Sequence, residues 1–318
     1  VQDKVVLESL QASDGHIRGS FGTKLTDVLG MTRMPDGRMV VIDSSGLTYL
    51  GDLASNLVDY RRLKFPPGID ELTFFDKTKL ACISHSENKG VTLFDIESQQ
   101  ELASIFGHQQ GASCLAHSDS LGLIATGGED KQIRLWDAST AKSVRLIRFH
   151  DAPVDHVAFL SDQWIMSIDS NGNVARISLQ DPSAFGCQMW NQSRGHAGRV
   201  FSLATSPDNR FLASGGEFGE IVLWDLHTGR AKWRKKTSPH RIRELKFLPV
   251  EPPQLVSVGE SREIRFYEVS TGALVRRLTY EEAPTLVSLA VSSTRGLIAV
   301  GTGRGDGTTA DVLLYDLE

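Results

Sequence analysis

The feature that most constrains the fold of this chain is a strand-ending pattern that recurs every 41 to 48 residues. Its clearest copy is IATGGEDKQIRLWDAST, residues 124–140, in which a glycine pair and an acidic turn separate two apolar runs. The second run ends in Trp136, and the equivalent positions in the other copies are Leu50, Phe94, Ile177, Trp224, Tyr267 and Tyr315. Repeats of this length are typical of supersecondary units that bury their apolar faces against their neighbours.

Each repeat contains several short alternating runs with turn residues between them. Residues 199–236 show this in RVFSLATS, RFLASGG, EIVLWD and RAKWRKK, which are separated by segments containing Pro, Asn or Gly. A period of two with such turns predicts antiparallel strands joined in chain order. We therefore predict an all-β fold: a single seven-bladed β-propeller of four-stranded antiparallel blades over residues 1–318. The predicted blades are residues 25–64, 69–106, 112–149, 154–190, 199–236, 241–279 and 285–318.

The two ends of the chain predict how the last blade is completed. The last repeat stops at Glu318, after its third strand, and the N-terminal KVVLESL resembles the outer-strand run KSVRLIRF of residues 142–149. We expect residues 4–10 to form the outer strand of the last blade, because this closure removes an exposed sheet edge. Deletion of residues 1–12 is then expected to lower the thermal stability.

Composition narrows the class of partner. The chain is 40% hydrophobic and 23% charged, as in an ordinary soluble globular protein, and its net charge of −5 disfavours a general polyanion binder. No apolar run approaches the length of a membrane span, and the N-terminus lacks the basic and apolar regions of a signal peptide. Because the first residue is Val, we expect the chain to be part of a longer protein. No membrane insertion is expected.

The cysteines indicate a reducing compartment and no metal site. Cys82, Cys114 and Cys187 have no metal-ligand spacing, and sparse cysteines in apolar runs behave as small core residues. We predict no metal and no cofactor. The expected location is the cytoplasm, with the nucleus as the alternative.

The repeats resemble those of the WD-repeat β-propeller family. In that family a His before the first strand, a Ser or Thr on the second strand, a turn Asp and a Trp form a buried hydrogen-bonded chain. One repeat matches at every position, through His108, Thr126, Asp130 and Trp136. A second keeps three members and has Phe218 at the turn-Asp position; the three are His196, Ser214 and Trp224. The fourth repeat offers His150, Ser167 and Asn171.

The resemblance implies that these histidines brace the blades. A catalytic arrangement of His108 or His196 with nearby acids and hydroxyls is the alternative. Recurrence of the same set favours bracing, because buried polar groups must be paired and a satisfied network fixes one packing.

Candidate binding residues lie in the turn that precedes the third strand and at the start of the first strand. The position before the turn Asp carries Glu87, Glu129, Glu217 and Glu260, with Ser170 in the fourth repeat. The first-strand starts add Arg199, Phe201, Arg241 and Arg243, and Phe218 is the expected exposed apolar contact. Solvated turn acids are one interpretation. The other is a channel-mouth surface that binds a basic peptide segment.

Two further interpretations concern other chemistry. Residues 233–243, WRKKTSPHRIR, are basic and could bind nucleic acid, although Lys and Arg on outer strands also discourage strand addition by other chains. A channel-centred hydrolase would need convergent ligands, and its candidates Asp27, Asp70, Asp155 and His156 show no repeated pattern. We therefore predict a non-enzymatic scaffold that binds a partner protein or peptide segment on its channel-mouth face within a multi-subunit assembly or larger complex, as the family resemblance implies. Nucleic-acid binding and hydrolysis remain the alternatives.

Overall fold

The fold is built from short antiparallel strands in chain order, as the alternating runs predict. The computed structural model describes the following residues: 4–6, 17–22, 28–33, 39–43, 48–51, 57–59, 61–63, 69–84, 90–181, 187–189, 196–280, 285–292, 297–303 and 311–316. These residues divide between two compact units, one of residues 70–237 and one of residues 1–69 with 238–318.

The unit of residues 70–237 contains sheets A to D, each a four-stranded antiparallel meander. Sheet A is β8 (Ile69–Phe74), β9 (Lys79–Ser84), β10 (Val91–Asp95) and β11 (Gln100–Ile105). Sheet B is β12 (Ala112–Ser118), β13 (Leu123–Gly128), β14 (Gln132–Asp137) and β15 (Ser143–Arg148). Sheet C is β16 (Val154–Ser161), β17 (Trp164–Asp169), β18 (Val174–Ser178) and β19 (Cys187–Met189). Sheet D is β20 (Val200–Thr205), β21 (Phe211–Gly216), β22 (Glu220–Asp225) and β23 (Arg230–Lys236).

The other unit combines strands from both ends of the chain. Its C-terminal strands are β24 (Ile242–Leu248), β25 (Gln254–Gly259), β26 (Glu263–Glu268), β27 (Leu274–Thr279), β28 (Thr285–Ser292), β29 (Leu297–Gly303) and β30 (Asp311–Asp316). Its N-terminal strands are β1 (Lys4–Val6), β2 (Ile17–Gly22), β3 (Val28–Arg33), β4 (Met39–Asp43), β5 (Thr48–Gly51), β6 (Leu57–Asp59) and β7 (Arg61–Leu63). They form the four-stranded sheets β24–β25–β26–β27, β2–β30–β29–β28 and β3–β4–β5–β7, and the two-stranded sheet β1–β6.

The core lies between neighbouring sheets. In β13 and β17, Ile124 and Ile165 have no exposed surface, and Ile177 of β18 is equally buried. Ile133, Ile147 and Ile165 belong to one apolar cluster that joins sheets B and C. Sheet B packs on both of its faces, because successive side chains of a strand point to opposite sides: Ile124 belongs to a cluster shared with sheet A, and Ala125 to the cluster shared with sheet C.

The predicted fold class, a seven-bladed propeller whose last blade is completed by residues 4–10, is wrong. A uniform seven-bladed ring closed by residues 4–10 is contradicted by the pairing of Lys4–Val6 with Leu57–Asp59 in a sheet of only two strands. The strand that completes the last repeat is Ile17–Gly22, which pairs antiparallel with Asp311–Asp316. Both N-terminal segments offer strand-forming residues, and periodicity alone cannot show which one reaches the edge of β30.

Candidate functional site

One backbone hydrogen bond recurs at the turns that carry the predicted binding residues. The residue before the turn position donates its N–H to a carbonyl at the start of the first strand. The distances are 3.3 Å for Glu129 to Gly111, 2.8 Å for Ser170 to Pro153, 2.9 Å for Glu217 to Arg199 and, in the other unit, 3.3 Å for Glu260 to Arg241. This bond holds each turn residue beside the first strand of its own sheet.

The first strands β16, β20 and β24 each contain a β-bulge that changes the direction of one side chain. The pairing register shifts between Val154 and His156 in β16 and between Val200 and Ser202 in β20. Asp155 and Phe201 are therefore the extra residues. Arg243 has the same place in β24 of the other unit. A bulge leaves the extra residue outside the ladder and turns its side chain away from the regular pattern.

The His108 group in sheet B forms a continuous hydrogen-bonded chain. His108 Nδ1 lies 2.8 Å from Asp130 Oδ1, and His108 Nε2 lies 2.8 Å from Thr126 Oγ1. The Trp136 indole N–H donates to the same Thr126 oxygen at 2.9 Å. Burial lowers the pKa of His108, although the Asp130 carboxylate opposes this shift. A neutral His108 that donates from Nδ1 and accepts at Nε2 satisfies every member of the chain.

The corresponding group in sheet D lacks its acid. His196 Nε2 lies 2.7 Å from Ser214 Oγ, and the Trp224 indole N–H donates to that oxygen at 2.9 Å. His196 Nδ1 is buried and has no hydrogen-bond partner within the described part of the chain, because the turn residue is Phe218. The nearest carboxylate oxygen, Glu220 Oε2, is 3.7 Å away. Burial, assisted by the positive charge of Arg234, lowers the pKa of His196 to about 4.

Sheet C has a third such group, in which the acid is Asp169 and not the predicted turn residue Asn171. His150 Nε2 lies 2.7 Å from Ser167 Oγ, and His150 Nδ1 lies 3.1 Å from Asp169 Oδ2. Asn171 donates its backbone N–H to Asp169 Oδ1 at 3.0 Å. The last residue of β17 thus supplies the acid. The signal for it was the Asp that replaces the glycine of the Gly–Gly pair found in sheets B and D.

A mixed surface of charge and aromatic rings lies at the first-strand start of sheet D. The Arg199 guanidinium donates to both oxygens of the buried Asp155 carboxylate of sheet C, from Nη2 at 2.8 Å and from Nε at 3.2 Å. Its Cζ lies 5.8 Å from the ring centroid of Phe201. The hydrogen bond to Asp155 raises the pKa of Arg199, and the charges of Glu217 and Glu129 raise it further.

Phe218 is the more exposed of the two phenylalanines on this surface. Its side chain is 48% exposed, and one edge of its ring lies against Gly198, where an added Cβ would approach Phe218 Cε2 to 2.8 Å. Glu217 Oε2 accepts from the Arg199 N–H at 3.4 Å. Together with the exposed Glu129 of sheet B, these groups give the surface both acids and an aromatic ring.

The equivalent turn in the other unit brings together the remaining predicted residues. Arg243 Nη2 donates to Glu260 Oε1 at 3.0 Å, and Arg241 Nε lies 3.9 Å from the same oxygen. Glu260 is therefore surrounded by arginines within its own unit. The predicted binding residue Glu87 lies outside the described residues.

The hydrolase candidates do not converge where the structure describes them. Asp155 is paired with Arg199, and His156 Nε2 donates to the backbone carbonyl of Val200 at 3.1 Å. Asp27 and the Asp70 side chain lie outside the described part of the chain. Among the described residues, no group of three His, Cys, Asp or Glu side chains is arranged to hold a metal ion.

The basic stretch predicted as a nucleic-acid alternative begins in β23. In this strand the Arg and Lys side chains are all exposed and Trp233 is partly buried, so the outer strand of sheet D is a basic edge. Cys82 and Cys114 are free thiols in the core, and burial raises the pKa of Cys82 to about 12. Across the described segments, no helix has the length and hydropathy of a membrane span.

Comparison with known proteins identifies one family over most of the chain. The family model described as nucleolar protein 10-like, N-terminal domain, matches residues 52–310. Among curated relatives, the chain is 24% identical over 186 residues to target of rapamycin complex subunit wat1 of Schizosaccharomyces pombe, covering 58% of this chain and 57% of the relative. It is 23% identical over 184 residues to target of rapamycin complex subunit LST8 of Saccharomyces cerevisiae, covering 58% and 59%.

A third relative is longer. The chain is 25% identical over 173 residues to pre-mRNA-processing factor 19 of Bos taurus, covering 50% of this chain and 31% of the relative. The matched region thus spans less than two thirds of the length of each of these relatives.

Proposed function

Because the chain belongs to the WD-repeat β-propeller proteins, in the family described as nucleolar protein 10-like, N-terminal domain, we propose that it is a non-enzymatic scaffold for protein partners in a multi-subunit complex. Two of its relatives are named as subunits of the target of rapamycin complex, which supports a role within an assembly. The description of the matching family favours the nuclear alternative over the cytoplasm. A fluorescent fusion of the full-length protein tests the location, and exclusion from the nucleus would contradict it.

The binding surface that we propose consists of Glu129, Arg199, Phe201, Glu217 and Phe218. The observation that carries this proposal is Phe218, which is 48% exposed at a position where a buried network acid stands in the sheet B repeat. An aromatic side chain surrounded by charges suits the centre of a peptide interface, because apolar anchors supply affinity and charged neighbours orient the partner.

The charges of this surface support a partner segment that carries a basic residue beside an apolar one. Asp155 neutralises Arg199 through two hydrogen bonds, so the carboxylates of Glu129 and Glu217 dominate the local charge. Glu260, Arg241 and Arg243 form a corresponding cluster in the other unit, where the acid is already paired with arginines. We therefore assign partner binding first to the five residues of sheets B and D, and Glu87 is left out of the assignment.

The experiment is quantitative affinity purification of the full-length protein in three forms. The double variant Glu129→Lys with Glu217→Lys reverses the charge of the surface, and Phe218→Ala removes the aromatic ring. The control Glu97→Lys with Glu101→Lys makes the same change of charge at exposed positions of sheet A. We expect the first two variants to lose the same co-purifying chains while the control retains them. Retention of every partner by both surface variants, with unchanged melting temperatures, would reject this surface.

A further inference from the structure

A cavity of about 560 Å³ lies between sheets C and D, at the strand ends opposite to the turns of Glu129 and Glu217. Its volume is within the range of about 300–1,000 Å³ that is common for ligand sites. The lining side chains that matter for its chemistry are Leu160, Trp164, Arg176, Arg210 and Leu226. All of them lie in the unit of residues 70–237.

Arg176 is an exception to the repeat pattern. It precedes the Trp136-equivalent position of its repeat, Ile177, on the third strand of sheet C. The residues at the equivalent position in the other copies are all apolar: Tyr49, Leu93, Leu135, Leu223, Phe266 and Leu314. The strand packing of these repeats therefore accommodates an apolar side chain at this position, and packing does not explain an arginine.

The arginine is held in a fixed position at the wall of the cavity. The Arg176 Cζ lies 4.3 Å from the ring centroid of Trp164, and its Nη1 donates to the backbone carbonyl of Leu226 at 3.2 Å. Burial lowers the pKa of Arg176, but an arginine remains charged at neutral pH. A guanidinium held against an indole ring has lost part of its hydration and freedom, so it can bind an oxyanion with less further cost.

The same location between sheets A and B contains a cavity of about 490 Å³ with different chemistry. There the third-strand residue is Leu93, and the residue equivalent to Trp164 is Lys79, which pairs with Asp76 at 3.1 Å. The repeat therefore produces the space in both places. Of these two cavities, the one between sheets C and D has an arginine stacked on an aromatic ring within it.

The charge around this cavity also differs from that at the equivalent places in the other repeats. The residue that ends the third strand is an acid in sheets A, B and D, but it is Ser178 in sheet C. The one lining carboxylate, Asp225, accepts from the backbone N–H groups of His227 at 3.0 Å and Thr228 at 2.8 Å. Arg176 and Arg210 thus give a positive cavity in a chain whose net charge is −5.

We propose that this cavity binds an acidic side chain of a partner polypeptide, a carboxylate or a phosphate ester next to an apolar group. The oxyanion contacts Arg176 and Arg210, and the apolar group contacts Leu160, Leu226 and the ring of Trp164. A polypeptide fits better than a nucleic-acid strand, because a string of phosphates would meet Asp225 and the net negative charge of the chain. This surface is separate from the proposed site around Phe218.

The test is an NMR titration of the 318-residue chain with small probes. The protein has five tryptophans, and Trp164→Phe assigns the Trp164 indole N–H signal. The probes are phenyl phosphate and 3-phenylpropionate, which distinguish a phosphate from a carboxylate source, with benzyl alcohol as the uncharged control. We expect both anions to shift the Trp164 signal with dissociation constants of about 1–10 mM, as their size allows, and the alcohol to leave it unchanged.

Variants decide whether Arg176 carries the binding. Arg176→Leu introduces the residue that four other repeats have at this position, so the fold is expected to tolerate it. It should weaken the binding of phenyl phosphate at least tenfold. Arg148→Leu, the same change at an exposed position outside the cavity, should have no effect. If Arg176→Leu does not fold, Arg210→Gln supplies the readout, with an expected weakening of about threefold.

Several outcomes would overturn the proposal. The first is that neither anion shifts the Trp164 signal. The second is that the Arg176→Leu and Arg148→Leu variants bind phenyl phosphate with equal affinity. The third is that Arg176→Leu unfolds at a lower urea concentration although the wild type binds no anion. The last result would make Arg176 a purely structural brace between sheets C and D. Tighter binding of a single-stranded RNA than of either probe, lost in Arg176→Leu, would replace the polypeptide partner with a nucleic acid.

Discussion

Replacing Phe218 by aspartate is expected to complete the hydrogen-bonded chain of sheet D. In sheet B the acid at this position lies 2.8 Å from the Nδ1 of its histidine, whereas His196 Nδ1 is buried without a partner within the described residues. A carboxylate at position 218 would supply that partner. Satisfying a buried polar group contributes about 1–3 kcal/mol, and loss of the half-exposed phenyl ring removes about 1 kcal/mol. At pH 7 we expect a net gain of about 1 kcal/mol in the free energy of unfolding.

The effect should grow at acid pH. The pKa of His196 falls from 6.5 in the unfolded chain to about 4 in the folded protein, so the unfolded state binds the proton more tightly between these values. The wild type should therefore lose about 2 kcal/mol of stability through this residue when the pH falls from 7 to 5. With a carboxylate beside it in the Phe218→Asp variant, the folded His196 accepts the proton more readily, and most of that loss disappears.

The assay is urea unfolding followed by tryptophan fluorescence at pH 7 and pH 5, with the pKa of His196 measured by NMR. Phe218→Asn retains hydrogen-bonding capacity without the charge, and Phe218→Ala removes only the ring. The expected result is that Phe218→Asp alone raises the pKa of His196 and reduces the loss of stability at pH 5. If Phe218→Asp loses as much stability between pH 7 and pH 5 as the wild type does, the acid does not reach His196 and the reasoning is refuted.

The same substitution separates stability from function. The Phe218→Asp protein should be more stable than the wild type and yet lose the partners that Phe218→Ala loses. Such a trade-off is common where a binding residue replaces a stabilising one. Its physical cause would be the exchange of one buried hydrogen bond for an exposed aromatic contact.

Thr126→Val should lower the free energy of unfolding by about 2–4 kcal/mol in urea titrations, because Trp136 Nε1 and His108 Nε2 lose their common partner. Thr126→Ser keeps the hydroxyl and should retain most of the wild-type stability. Deleting residues 1–22 should lower the melting temperature much more than deleting residues 1–12, since only the longer deletion removes the strand paired with β30; equal effects would contradict the observed closure. Replacing Lys232 and Lys235 of the exposed outer strand by Thr should increase light scattering on heating, and unchanged scattering would show that the basic edge does not oppose strand addition.

The repeat period and the alternating runs determined much of the fold. They predicted antiparallel strands in the right order, and the WD-repeat resemblance is confirmed by a family match over residues 52–310. Periodicity succeeds here because successive side chains of a strand point to opposite faces of its sheet, which gives strands a period of two. The sequence also placed Phe218 at the position of a missing acid, although the surface role of Phe218 stays a prediction.

Tertiary structure decided which segments and side chains meet. Residues 4–10 and 17–22 are both suited to an outer strand, and only the pairing of Ile17–Gly22 with Asp311–Asp316 shows which one completes the last sheet. Asp169 rather than Asn171 reaches His150, because a hydrogen bond depends on distance and not on position in a motif. In the sequence, the only sign of the cavity beside Arg176 is an arginine at a position that is apolar in the other repeats. The cavity itself lies between two neighbouring sheets, so neither sequence segment alone predicts it.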